Sequence, residues 1–169
     1  VSYDELEPHY DFFERVTGIG GVAGNLNGTI RDGGNPFEGP RKSEYPNPPM
    51  KRALAGDLFG KAAQSLGHHP FPVPSANMTR HYTNPYGAEM RPCMYCGFCE
   101  TYGCEHFAKA SPQIAILPAA LQNRNFELRP RSHVLRVEWD KGTKQATGVT
   151  YIDARGVEPL PDRPTSDRV

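Results

Sequence analysis

Long apolar runs are missing from this 169-residue chain, and no stretch approaches the ~20 residues needed to cross a bilayer as a helix. Val1 opens directly onto polar sequence, with no basic start and no apolar signal core, so any targeting segment is expected to have been removed or to lie upstream. An excess of one charge is missing too. Nineteen Lys and Arg balance nineteen Asp and Glu, and a chain without a long-range field of its own is not expected to serve nucleic acid or an anionic membrane surface. Hydrophobic residues are sparse at 37%, while 17 Pro and 17 Gly make up about a fifth of the chain against a usual eighth or so. This composition predicts much ordered loop, either as a partly disordered domain or as a segment whose covering surfaces belong to a larger protein; the second reading is favoured. At 18.7 kDa the chain has the size of one domain that could bury a core without staples. Size alone therefore does not call for cysteine, and cysteine is indeed absent everywhere except between positions 93 and 104.

What is present reads first as helix and loop. Ser2 and Glu5 fit a capping box, but Pro8 would break a helix begun there, so the longer helix is expected to have Pro8 at its first position. Tyr10, Phe13 and Val16 then share one face, and Gly18 is the expected stop. Gly18, Gly20 and Ala23 satisfy G-x-G-x-x-A in form, yet the stretch follows a helix and runs into Asn-Gly turns, so it is read as a surface loop and not as a phosphate cradle. A second helix is predicted in "NPPMKRALAGDLFGKAAQSLGHH", with Pro49 near its start and Gly67 at its end; Met50, Leu54, Leu58, Ala62 and Leu66 form a stripe expected to pack into a core. "HHPFPVPSANMTRHYTNPYG" reads as an extended or polyproline arm. Its His68, His69 and His81 have no carboxylate or cysteine at ligand spacing and are read as exposed or capping residues.

Beyond the cysteines, "SPQIAILPAALQNRN" predicts a short helix with Pro118 as a good first residue. The period then changes to that of strands: Phe126 to Arg129, Ser132 to Asp140, a turn at Lys141-Gly142-Thr143, and Ala146 to Asp153. On periodicity alone Val134 is a core valine of the second of these. The end, "PLPDRPTSDRV", reads as a polar connector or tail.

The four cysteines, Cys93, Cys96, Cys99 and Cys104, stand as C-x2-C-x2-C-x4-C on a stretch made compact by Gly97 and Gly103. Three thiols at steps of three can wrap one centre, and the spacing is close to the bacterial ferredoxin run C-x2-C-x2-C-x3-C. The last gap is one residue longer and Glu105, not Pro, follows the final cysteine. An iron-sulfur cluster is the favoured occupant, and three ligands with one cysteine to spare would suit a three-iron four-sulfur cluster. Two disulfides come next. Tetrahedral zinc comes last, since structural zinc sites usually pair two knuckles across a longer loop. Of the histidines only His106 is near enough in sequence to join such a site.

Three stretches carry a resemblance. "SYDELEPHYDFFERVTGIGG", "NPYGAEMRPCMYCGFCETYGCEHFAKAS" and "FELRPRSHVLRVEWDKGTKQATGVTYIDARG", the last with Ala146, Gly148, Val149 and Tyr151 in an A-x-GV-x-Y pattern, resemble in order the glucose-methanol-choline (GMC) family of FAD-dependent oxidoreductases. The resemblance implies an α+β fold in which this chain is a loop-rich central segment. Residues 1–125 would be a helical, loop-rich part of the substrate side, with the cysteine-rich loop at 91–111. Residues 126–158 would be strands completing the FAD-binding domain, and 159–169 a connector or tail. It also implies that the dinucleotide fingerprint would lie before Val1 and the catalytic histidine pair after Val169, so that the isolated chain would be catalytically silent. Val134 is the family's match for the strand residue whose backbone meets the FAD adenine. The implied activity is oxidation of an alcohol group of a sugar, polyol or sugar acid, with electrons passing from flavin through a three-iron cluster to a cytochrome or small subunit. The implied location is periplasmic or membrane-associated through partner subunits. The rival readings are a non-enzymatic module stapled by zinc or disulfides, and a small ferredoxin-like carrier, which would have no need of the long helix and strand pair.

Overall fold

Ser2 and Glu5 start the first helix after all. In the computed structural model, which describes residues 1–155, α1 spans Tyr3–Thr17: Glu5 N–H donates to Ser2 Oγ at 3.3 Å and Ser2 N–H to Glu5 Oε2 at 2.9 Å. The expectation that Pro8 opens a later helix is corrected, because Pro8 lies inside α1. Proline there removes one donor and crowds the carbonyl four residues back. Side-chain anchors on both sides of it outweigh that cost. Glu7 is buried and accepts from Lys42 N–H at 2.9 Å, and Glu14 accepts from Arg41 Nη1 at 3.1 Å. Tyr10 and Phe13 are about half exposed, whereas Val16 is buried. Gly18 ends α1 as expected, in the left-handed region at φ 63°.

The glycine-rich stretch that follows is not a surface loop. Gly18, Gly20, Gly21, Ala23 and Gly24 are all buried. Gly20 N–H donates to Ser75 O at 2.8 Å, Ser75 N–H returns to Gly20 O at 3.0 Å, and Gly21 N–H donates to Asn47 O at 3.0 Å. The residues are small because other chain segments pass against them: a Cβ on Gly24 would stand 2.1 Å from Asn35 O, and one on Gly18 would stand 2.8 Å from Met78 Sδ. The hairpin β1 (Asn25–Leu26) and β2 (Thr29–Ile30) turns at Asn27 and Gly28, both at positive φ, as an Asn-Gly turn requires.

The second helix, α2, spans Leu54–Ser65 and begins later than Pro49 suggests. Its stripe, expected in a core, is corrected: Leu54, Leu58 and Leu66 are 75%, 58% and 76% exposed. Periodicity marks a helix that needs a cover; no segment of its own unit supplies one.

The core of this unit lies elsewhere. The arm at Ser75–Met78 is stitched into the fold through main-chain bonds, and Met78 packs with Met90, Ile114 and Ala115, flanked by Tyr82 and Ala110. The hairpin β3 (Tyr82–Thr83) and β4 (Glu89–Met90) wraps Asn84, whose amide donates to Val16 O at 2.9 Å and Ala115 O at 2.8 Å and accepts from Tyr86 and Ala88 N–H. Two short turns of helix follow, α3 (Pro112–Ala115) and α4 (Leu117–Ala120), each with a proline in its first two positions.

The chain divides into two units, Val1–Phe126 and Glu127–Val169. The described part of the second is an antiparallel hairpin, β5 (Ser132–Trp139) and β6 (Ala146–Asp153). Its turn is set by Asp140, whose Oδ1 accepts from Thr143 N–H at 2.6 Å and Thr143 Oγ1 at 2.8 Å. Residues 126–129 form no strand, a correction; Arg129 instead pairs with Glu127 at 2.7 Å. The expected connector at 159–169 lies outside the described residues. The architecture is mixed α+β.

Asn84→Asp puts a carboxylate oxygen against two carbonyls in place of two N–H donors. It should lower stability by about 2–5 kcal/mol, read as a shift in the urea midpoint. Gly18→Ala should also destabilise, because it meets both the positive φ and the Met78 sulfur; a thermal midpoint equal to that of the parent would count against this packing.

Candidate functional site

The cysteine loop hangs from a main-chain seam. Met78 N–H donates to Ala108 O at 2.7 Å, Cys93 N–H donates to Met78 O at 2.8 Å, Arg91 N–H to Phe107 O at 3.1 Å, and Ala110 N–H to Ala76 O at 2.9 Å. Both ends of the loop are thus fixed to one arm whose Met78 side chain is fully buried. Between those ends the chain turns through positive φ at Tyr95, Gly97 and Phe107. Gly97 bears out the compactness expected of it, and the non-glycine positions mark local strain of the kind that tertiary contacts must hold. One such contact is Lys51 N–H to the Tyr95 hydroxyl at 3.1 Å.

All four cysteines are free thiols; Cys96 is exposed and Cys93, Cys99 and Cys104 are half-buried. Those three accept N–H donors at sulfur: Cys93 Sγ from Tyr95 N at 3.3 Å, Cys99 Sγ from Asn77 Nδ2 at 3.8 Å, and Cys104 Sγ from Ala108 N at 3.4 Å. Burial pushes the Cys104 thiol up, but the N–H groups of Ala108, Lys109 and His106 and the Lys109 charge together pull it below the ordinary thiol range. Donors aimed at sulfur favour thiolate, which is the form a metal takes. The donor set therefore fits a thiolate-held centre in its chemistry. In position the sulfurs stand apart: among the described residues no three of His, Cys, Asp or Glu are gathered closely enough to hold a metal ion.

Lys109, which the sequence reading passed over, crosses the loop. Its ammonium donates to Cys99 O at 2.6 Å and to Tyr102 O at 2.8 Å. No spacing rule marks a lysine that binds carbonyls, and Asn77 is equally silent in sequence. His106 contributes its main-chain N–H toward Cys104. His68, His69 and His81 are exposed, with His81 Nε2 4.0 Å from a Glu89 oxygen. Gly20 and Gly21 have their N–H groups bonded to carbonyls of Ser75 and Asn47, so these two are not free to meet a phosphate.

In the second unit Val134 lies on β5 opposite Tyr151 and is 53% exposed, so it is not a core valine among the described residues. Leu135 is an extra residue on β5 between the pairs Val134–Tyr151 and Arg136–Thr150, a bulge beside the expected adenine contact. The register puts Val134, Val137, Val149 and Tyr151 on one face, with Arg136, Glu138 and Thr150 on the other, where Glu138 accepts from both its neighbours. In the described sheet β5 pairs with β6 alone. Among the described residues its other edge has no strand partner.

Comparison with known proteins gives the family. Residues 72–162, more than half of the chain, match the family model described as GMC oxidoreductase. The chain is 47% identical over 161 residues to the gluconate 2-dehydrogenase flavoprotein of Pantoea cypripedii, covering 94% of this chain and 26% of that protein. It is 29% identical over 155 residues to 2-methyl-1,2-propanediol dehydrogenase of Mycolicibacterium austroafricanum, covering 92% of this chain and 25% of that protein. A third similarity, 29% over 153 residues, is to paromamine 6'-oxidase of Streptomyces fradiae, with 90% of this chain and 24% of that protein covered. The chain spans about a quarter of the length of these relatives. With the cysteine arm and the β5–β6 hairpin both inside the matched residues, the chain belongs to the GMC oxidoreductase family.

Proposed function

We propose that this chain is the central part of an FAD-dependent dehydrogenase that oxidises an alcohol group of a sugar, polyol or sugar acid and sends electrons out through an iron-sulfur cluster on the cysteine loop. The observation that carries the reading is the 47% identity with a gluconate 2-dehydrogenase flavoprotein, a match that runs through the cysteine loop. When bound, FAD supplies the hydride acceptor and the cluster a one-electron outlet.

The chain's own residues divide the work. Residues 1–125 contribute to the substrate side, and 126–158 supply strands to the flavin domain, with the Val134 main chain offered to the adenine. Three of Cys93, Cys96, Cys99 and Cys104 would hold the cluster, with no need of the histidines; zinc suits the same thiols less well. Because the sulfurs stand apart, these thiolates would have to draw together to hold a cluster, and folding of the loop would be linked to metal binding. N–H groups at Cys93, Cys99 and Cys104 favour the thiolates and lower the electron density on sulfur, one of the levers that set a cluster's potential. No residue here takes the substrate proton; that role falls to the family's histidine pair, elsewhere in the flavoprotein. The partners are the remainder of the flavoprotein and a cytochrome or small subunit as electron acceptor, in a periplasmic or membrane-associated complex.

Metal and sulfide analysis with electron paramagnetic resonance, on the full-length flavoprotein purified without air and kept oxidised, should find iron, sulfide and a three-iron signal. Stoichiometric zinc, or no metal at all, removes the electron outlet while leaving the flavoenzyme. In the metal-free protein, alkylation of Cys104 should persist to lower pH than in a peptide of residues 98–109. A thiol whose pKa is lowered keeps its reactive thiolate as pH falls, so coincident pH profiles would show that the loop does not hold Cys104 in this environment.

A further inference from the structure

Lys109 is anchored on one side and engaged on the other. Its main chain bridges Asn77, between Ala108, which accepts from Met78, and Ala110, which donates to Ala76. That seam leads straight to the buried Met78. Its ammonium reaches the opposite way, to the carbonyls of Cys99 and Tyr102, which bracket the turn after the third cysteine. The turn has one main-chain bond of its own, Tyr102 N–H to Phe98 O at 3.3 Å. Two charge-assisted bonds at 2.6 and 2.8 Å are thus the stronger closure. The same residue sits next to Ala108, the donor to Cys104 Sγ, so one side chain ties the Cys99 end of the turn to the segment that cradles Cys104.

We propose that Lys109 is the positioning residue of the cysteine loop, its ammonium holding the Cys99–Tyr102 turn against the seam at Ala108 and Ala110. The consequence for metal capture rests on the cluster reading above. The positioning itself does not. A neutral, donor-free side chain of similar length leaves two carbonyls without their partner and the turn with a single long bond. Arginine keeps the charge and the donors.

The test is made in the full-length flavoprotein with Lys109→Met and Lys109→Arg, with flavin content as the check on folding; should the Met variant lose its flavin, Lys109→Leu is read in its place. In metal-free protein, amide hydrogen exchange across residues 99–102 should accelerate about tenfold in the Met variant and stay near the parent rate in the Arg variant. Iron and sulfide per flavin should fall severalfold in Lys109→Met and be largely restored in Lys109→Arg. Unchanged exchange at 99–102 in the Met variant overturns the proposal, whatever the iron content. A parent protein that binds no iron sinks the electron-outlet reading instead, and exchange alone then decides the role of Lys109.

Discussion

Met78 is the point at which the larger unit is tied together. Its N–H and C=O bond to Ala108 and Cys93 on opposite sides, and its side chain is fully buried against Met90, Ile114 and Ala115. The end of α1 depends on the same side chain, because Gly18 can approach the Met78 sulfur only without a Cβ. Asn47 reaches the sulfur from another direction while donating to Gly18 O at 2.8 Å. An unbranched thioether suits such a place, since it fills an irregular gap between backbone segments that a β-branched residue would push apart. The cysteine loop inherits its position from this node. Both of its ends are main-chain partners of the arm that carries Met78.

Few large apolar side chains are buried around that node, and buried polar groups supply much of the specificity. Asn47 and Asn84 each bond main-chain groups distant in sequence, and Arg41 lies over the Tyr45 ring at 3.7 Å while paired with Glu14. Such groups are costly when left unpaired and nearly neutral when satisfied, so they punish alternative arrangements more than they stabilise this one. Burial and the neighbouring carboxylates hold Tyr45 protonated, with its pKa up at about 12 against the pull of Arg41. The ring therefore faces the guanidinium as a neutral aromatic, which is the form a cation–π contact uses.

Signals that are local in sequence were legible. The Ser2–Glu5 box, the Gly18 stop, the Asn27–Gly28 turn and the β6 boundaries need only near neighbours, and each is where its residues put it. Pro8 misled because a helix-breaking cost was weighed without the anchors at Glu7 and Glu14, whose partners lie 35 and 27 residues away. The glycine stretch was misread for a related reason. Glycine beside Asn-Gly turns suggests a surface, but these glycines are small because Asn35, Asn47 and Ser75 pass against them. In the loop, cysteine spacing announces a thiolate site, yet nothing in the order of residues tells which N–H groups meet which sulfurs or that Lys109 spans the turn.

The apolar faces left over carry their own argument. An α-helix with Leu54, Leu58 and Ala62 spaced four apart and a hairpin with valines and a tyrosine on one face are amphipathic designs, and burying such faces contributes roughly 25 cal/mol for each Å² removed from water. On α2 and on β5–β6 that contribution is not collected within the unit that bears them, since Leu54, Leu58, Val134 and Val137 all stay more than half exposed. The Met78 node differs in kind, for it closes on residues of its own unit. Order in the cysteine loop is therefore built from within, through the seam and Lys109, while the apolar faces of α2 and of β5–β6 stay uncovered by the described residues of their own units.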